Sequence, residues 1–405
     1  MMEAYLQEWL GLLLRWAHFI TGIAWIGASF YFNWLENHLE RQQSDKRLAG
    51  DLWALHGGGF YYLQKLKNAP EQLPPTLHWF KSEAYFTWLT GFALLCLIYY
   101  RDAGLFMVDS RVADISNLHA IAIGLASLLL SWLFYELLCR SAAGRNQLLT
   151  MLLIFAWFTL LSWLLSSYLS GRAAYIHVGA AIGTIMVANV LFVIIPSQKD
   201  LVAAVMEQRV PDPDKGRHAL LRSRHNNYFT LPVLFIMISN HYAGTFGNAW
   251  NWLWLVLIGL VGVGIRHWFN IRHQENHSRW VLPLSLLLLL AVIIAMRPQA
   301  PSGIEKRTTI PSTADAMKVV QEHCTICHSA QPEHPGFAAA PLGIVLDDER
   351  TLDMLARRVH HVTVVTQSMP LANTTGMSDE ERDLIDKWYT GRAPGQAAES
   401  EQSNE

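Results

Sequence analysis

The sequence predicts an all-α protein. A polytopic membrane bundle of about eight spans (1–296) is followed by a linker (297–312), a small soluble helical domain (313–392) and a polar tail (393–405). Three observations carry this reading. Apolar runs of about 20 residues, long enough to cross a bilayer as helices, alternate with charged loops. Only 16% of the residues are charged, against about 25% in soluble domains. Lys and Arg gather in alternate loops, the asymmetry that orients membrane proteins.

The spans are predicted at 10–32, 84–100, 117–138, 148–169, 174–196, 227–243, 250–268 and 280–296. Those at 84–100 and 227–243 are short, which leaves room for tilt or partial re-entry. The loops at 33–83, 140–147 and 197–226 hold most of the Lys and Arg, and Arg272 and Arg279 lie between the last two spans. These loops are expected on the cytoplasmic side. The intervening loops carry only Arg101, Arg111 and Arg172. An even number of spans then places both termini outside. The first span lacks a basic n-region and a small-residue cleavage site, so it is expected to remain as an anchor. Net charge is −2, with no basic stripe, so the bilayer is the expected partner and no nucleic acid is.

In the soluble segment, Cys324-Thr-Ile-Cys327-His328 has the spacing of covalent c-type haem attachment. Each thiol adds to a haem vinyl group, and His328 becomes an axial ligand of the iron. A thioredoxin-like pair would need a βαβ context, and a zinc site a second CxxC. The other cysteines, Cys96 and Cys139, lie in apolar runs. Residues 313–323 read as a helix leading into the motif. Ser378 and Glu381 form a capping box that opens a helix running to Tyr389 and stopping near Gly391. Leu384, Ile385 and Trp388 share one face of it. The pattern resembles a class I cytochrome c, whose first and last helices cross at the haem edge. Met369, before Pro370 in the preceding loop, is the expected second axial ligand; Met354, Met377, His360 and His361 are alternatives. The tail beyond 392 is expected to be disordered.

A carrier cytochrome needs one anchoring helix, so the remaining spans call for another explanation. Arg15, His18, Gly22, Trp25 and Ser29 recur at helical spacing and share one face of the first span. Packing explains Gly22 and Ser29, and Arg15 can snorkel, but neither explains His18. The topology places His18, His119, His177 and His241 at similar depth near the outer side. Singly, each is more often a structural histidine; jointly they form a candidate substrate site, or a pair among them a b-type haem site. A second polar set is expected at the cytoplasmic side: His56 through Gly59, Lys81, Glu83, Arg222, Arg224, His225, Asn226, Asn227, Arg266 and His267. Positive-inside loops and a glycine turn account for much of it.

The stretches Arg15–Gly27, Leu55–Tyr61, Trp79–Tyr85 and Arg222–Tyr228 resemble the bacterial integral-membrane, cytochrome c-linked urate oxidases, also called urate hydroxylases. The resemblance covers essentially the whole chain. It implies oxidation of urate to 5-hydroxyisourate, electrons passing to the attached haem c and then to a terminal oxidase or soluble cytochrome. It also implies the bacterial inner membrane, with the cytochrome domain and both termini periplasmic. A planar anion suits Arg15 and the aromatic Trp25, and His18 is the candidate base. Two other readings are a quinol-to-oxidase electron carrier without its own substrate, and a transporter fused to a redox sensor. The latter predicts internal repeats, and none is clear.

Overall fold

The computed structural model describes residues 2–42, 45–67, 69–70, 72–273, 278–297, 310–334 and 336–392. Most of the linker and all of the expected disordered tail lie outside the described residues. The chain is mostly helical. Among the described residues, Tyr5–His38, Ser82–Tyr100, Asn117–Arg140, Gln147–Tyr168, Gly171–Met206 and Asn251–Ile271 are long and apolar enough to cross a membrane. Helices also stand at the other two expected positions. Pro213–Ser239 begins well before its apolar part because Arg222, Arg224 and their polar neighbours are helical too. Val281–Ala295 is apolar but has 15 residues.

Gly171–Asn189 is the centre of the bundle, packed against Asn117–Arg140, Gln147–Tyr168, Pro213–Ser239 and Ser82–Leu94. Its small residues explain why. Ala173, Ala174, Gly179 and Ala181 are buried, so neighbouring backbones approach closely. A Cβ on Gly179 would lie 2.6 Å from Cγ2 of Ile236 on Pro213–Ser239. Tyr135, Tyr175 and His177 are almost or fully inaccessible in the same core. The second span and the Gly171–Met206 span each contain a π-helical segment, Leu95–Tyr100 and Val190–Ile194. The first brings Tyr99 and Tyr100 together around His177, at ring separations of 6.1 and 5.7 Å.

The all-α expectation needs one correction. Leu48–His56 and Gly59–Leu66 pair as an antiparallel hairpin within the first long loop. Gly57 and Gly58 turn the chain at φ +57° and +80°, the left-handed geometry of a type I′ turn. Apolar residues occupy both faces: Trp53 opposes Tyr62 on one, Leu52 opposes Leu63 on the other. No alternation of apolar and polar residues therefore marks the strands. His56, expected within the polar set, sits exposed at the hairpin's end.

In the C-terminal body, Thr313–His323 and Asp379–Thr390 pack on each other through Ala316, Val320, Ile385 and Trp388. Both begin with capping boxes, Ser312 with Asp315 and Ser378 with Glu381. The second ends at Gly391. Trp388 Nε1 donates to Thr313 Oγ1 at 3.2 Å, locking the ends together. This body sits on the loops expected outside. Arg111 donates to the Gln367 carbonyl at 3.2 Å, and Ala103–Phe106 meets Leu371–Asn373.

Replacing Gly179 by Val should overpack the Ile236 contact and destabilise the bundle by about 1–3 kcal/mol. A lower thermal midpoint in detergent checks this; an unchanged midpoint would show that the two helices can separate freely there.

Candidate functional site

Where the two bodies meet there is a cavity of about 860 Å³, within the range of ligand and cofactor pockets. Its C-terminal wall includes Cys324, Cys327, His328, Leu346, Val359 and Met369. Its membrane-side wall includes Arg15, Ser166, Arg172, Asn240, His241 and Asn251.

The C-terminal wall fits a covalently attached haem. The chain turns tightly after Thr313–His323, with Cys327 and His328 N–H groups bonded to the Cys324 carbonyl at 3.1 and 2.8 Å. That turn directs both sulfurs and the imidazole to one cavity. Burial, then the neighbouring Cys327, pushes the Cys324 thiol up to about 12, and burial raises Cys327 as well. A redox dithiol or a zinc ligand needs the opposite shift, towards thiolate. An apolar wall suits thioether links. The His328 Nδ1 proton points to the Ile344 carbonyl at 3.0 Å, so Nε2 is left as the electron donor. Such a bond orients an iron-ligating imidazole, and burial lowers the pKa of that ring.

Of the expected second ligands, Met369 lines the cavity. Met377 is buried in the hydrophobic core and Met354 is exposed. His360 is held by Asp386 at 2.7 Å and stacks on Tyr389, while His361 is exposed. Arg382, buried in the last helix, clamps the Met369 loop by donating to the Thr363 carbonyl, the Met369 carbonyl (3.1 Å) and Asn373 Oδ1 (3.2 Å). Sequence reasoning passed over this arginine, because a charge in an acidic helix start reads as surface. Glu322, His323 and Glu381 converge within 4.8 Å, but Glu381 caps its helix and His323 also bonds Thr375.

The membrane-side wall is polar. Arg172 donates to the Asn240 carbonyl at 3.1 Å, and Tyr99 donates to Asn240 Oδ1 at 3.1 Å. Asn251 uses its NH₂ on the Phe246 carbonyl at 2.9 Å, which leaves its buried Oδ1 unpartnered; Ser166 Oγ is unpartnered too. Orphaned polar atoms on a cavity wall are the mark of a binding surface. Arg15 and His241 belong to this wall, as the sequence pattern anticipated, whereas Arg172, Asn251 and Ser166 were not singled out.

The other candidates lie elsewhere. His18, one helical turn beyond Arg15, points Nδ1 at the Thr87 carbonyl, 3.0 Å away. A carbonyl only accepts, so the proton is on Nδ1 and Nε2 has a free lone pair. Trp25 is half-buried between two apolar clusters. His177 is buried in the core, bonded to the Ala173 carbonyl and, at 3.3 Å, to Tyr100. His119 is exposed beside Ser116. The four histidines thus occupy separate settings, with His241 alone among them on the cavity wall.

At the opposite end of the bundle part of the second polar set forms a network, while His56 and Arg224 are exposed and Lys81 and Glu83 stand outside it. Arg222 pairs with Glu136 at 2.7 Å and bonds Asn189 at 3.2 Å. Asn189 bonds Asn226 (2.8 Å) and Tyr135 (3.2 Å), and Tyr135 bonds His225 (2.7 Å). Beside it, Arg266 and Asn270 both donate to Asn227 Oδ1, at 2.8 and 2.9 Å. Glu136 and Asn189 were missed, each being a single polar residue within an apolar run.

The family model for the urate oxidase N-terminal region matches residues 4–297. The chain belongs to this family. The match spans the membrane bundle and ends where the linker begins, short of the Cys324–His328 motif. Membership points to urate as substrate and to an oxidoreductase. No curated protein and no solved structure matches the chain.

Substituting Arg382 with Leu should strip three acceptors of their donor. The expected cost is about 1–3 kcal/mol in stability. In haem-loaded protein it should also weaken the methionine-to-iron absorption band without loss of covalent haem stain. Retention of that band would free Met369 from dependence on the clamp.

The Glu381 carboxyl is destabilised by burial, but the Ser378 N–H and then His323 outweigh this and hold it below the usual range. A depressed acid stabilises the fold above its unfolded pKa and loses that contribution as pH falls through the folded value. Thermal midpoints of the C-terminal domain should therefore drop below about pH 4. Glu381→Gln should flatten that drop; an identical pH profile would assign the acid sensitivity to another group.

Proposed function

We propose that the protein oxidises urate to 5-hydroxyisourate, with a haem c held by Cys324 and Cys327 as the electron acceptor. The observation that carries the proposal is the shared cavity: a wall of the family-matched bundle and the CxxCH wall enclose one space. The reaction balances as urate plus water giving 5-hydroxyisourate, two protons and two electrons. When bound, the haem supplies one-electron acceptance at a potential raised by thioether ligation. In this reading His328 and Met369 would hold its iron, and residues 313–392 would be a cytochrome c domain. Electrons then leave to a terminal oxidase or a soluble cytochrome.

The chain's own groups bind the anion and take up protons. Arg15 and Arg172 offer guanidinium donors to urate oxygens, and Asn251 Oδ1 offers an acceptor to a ring N–H. His18, with its Nε2 lone pair, is the proton acceptor nearest Arg15 along the first helix. Trp25, half-buried among apolar side chains, is placed for packing. An eight-span bundle with the cytochrome domain periplasmic follows from the loop charges and completes the reading for a bacterial inner membrane.

The test uses purified, haem-loaded, full-length protein without oxygen. Adding urate should promptly reduce the c-haem band. His18→Ala should abolish that reduction and leave the oxidised spectrum unchanged. Reduction by a quinol but not by urate would overturn the proposal in favour of a carrier cytochrome.

A further inference from the structure

At the end of the bundle away from the haem motif there is a second pocket, of about 300 Å³, between Tyr5–His38 and Asn251–Ile271. Phe30, Trp34, Asn37, Arg266, Asn270 and Arg272 contribute to its wall. The central fact is Arg266. It is 8% exposed, yet among the described residues no carboxylate pairs with it. Its Nε donates to Asn227 Oδ1, and its guanidinium lies 3.9 Å from the centre of the Phe30 ring. Arg222 on the neighbouring helix is comparably buried, but there the bundle provides Glu136. A buried cation without an anion is costly, and none of the described residues supplies one to Arg266.

The wall describes that anion. Arg266 keeps its two terminal nitrogens as donors, and Arg272, bonded through Nε to His273, keeps its own. Asn270 and Asn37 use their NH₂ groups on Asn227 Oδ1 and on the Asn270 carbonyl, leaving both side-chain oxygens as acceptors. Phe30 and Trp34 add aromatic surface, one face of Phe30 being covered by Arg266 and Trp34 stacking on His38. Donors that carry charge, acceptors between them and aromatic faces suit a planar anion that has both carbonyl oxygens and ring N–H groups. A phosphate or a carboxylate alone would leave the amide oxygens and the rings unused.

We propose that this pocket binds a planar, anionic oxo-heterocycle, as a capture site separate from the cavity beneath the haem motif. Naming urate as its ligand rests on the functional reading above; the chemical class rests on the pocket. Arg266 is then a binding residue, not a catalytic one.

Binding is measured by equilibrium dialysis of labelled urate against the full-length protein, reduced with dithionite so that no electron acceptor remains. Arg266→Gln should weaken binding at one site by roughly ten- to a hundred-fold, the loss of a charged hydrogen-bond donor. Asn37→Asp, which leaves the Arg266–Asn227 bond intact, gives up one donor to the Asn270 carbonyl and adds a charge like the ligand's, should do the same. Both variants should raise KM for urate and leave the haem spectrum unchanged. Wild-type stoichiometry and affinity in both variants would overturn the site, even if urate reduces the haem. Loss of a co-purifying anionic phospholipid with unchanged urate binding would overturn it as well. Arg266-dependent urate binding in a protein whose haem urate does not reduce would sustain the site and remove the proposed oxidation.

Discussion

Charge inside a bundle of apolar helices has to be matched within the bundle, and the Arg222–Glu136 pair sets the pattern. Taking either ion out of water is expensive, and their attraction offsets this only where further hydrogen bonds complete the set. Asn189 completes it by accepting from Arg222 and donating to Asn226. These contacts tie Asn117–Arg140, Gly171–Asn189 and Pro213–Ser239 at one depth. Small residues between the same helices then let the backbones close. Packing without the polar ties would leave their rotation about one another weakly specified, because one apolar face in lipid resembles another.

The same accounting exposes where the bundle is incomplete. Among the described residues, no carboxylate pairs with Arg266 at one end, and Asn251 Oδ1 and Ser166 Oγ are unpartnered at the other. Both ends open on cavities. Between them runs a well-satisfied core, in which His177 and Tyr175 find protein partners. Stability and recognition are thus separated along the bundle axis.

Legibility in the sequence follows the range of the physics. Helix positions, both ends of the last helix, the CxxCH turn and the capping box at Ser378 depend on neighbours within about four residues, and these could be read. The Gly57–Gly58 turn was read as a turn, but the hairpin around it was hidden by apolar residues on both faces. Arg15, from the shared face of the first span, and His241, from its depth, do line one cavity. The expectation that His18, His119 and His177 would join them used depth alone. Depth does not specify rotation about the helix axis, and rotation is what turns His177 towards Tyr100 and His18 towards Thr87. Arg382 acts on carbonyls brought close only by the tertiary fold.

The two-ended layout bears on the proposed chemistry. A two-electron oxidation that must feed a one-electron acceptor gains from holding the substrate close to that acceptor, since the species left by the first electron has to give up the second, and take up water, before it escapes. The cavity under Cys324 and Met369 provides that closeness, with Arg172 and Asn251 on its floor. A pocket at the far end cannot serve this step. Its value lies in selecting the anion: aromatic surface and amide acceptors beside the arginines favour a planar oxo-heterocycle over simple phosphates and carboxylates. Discrimination and oxidation then need not be achieved by the same side chains, and the uncompensated Arg266 is explained by the first task alone.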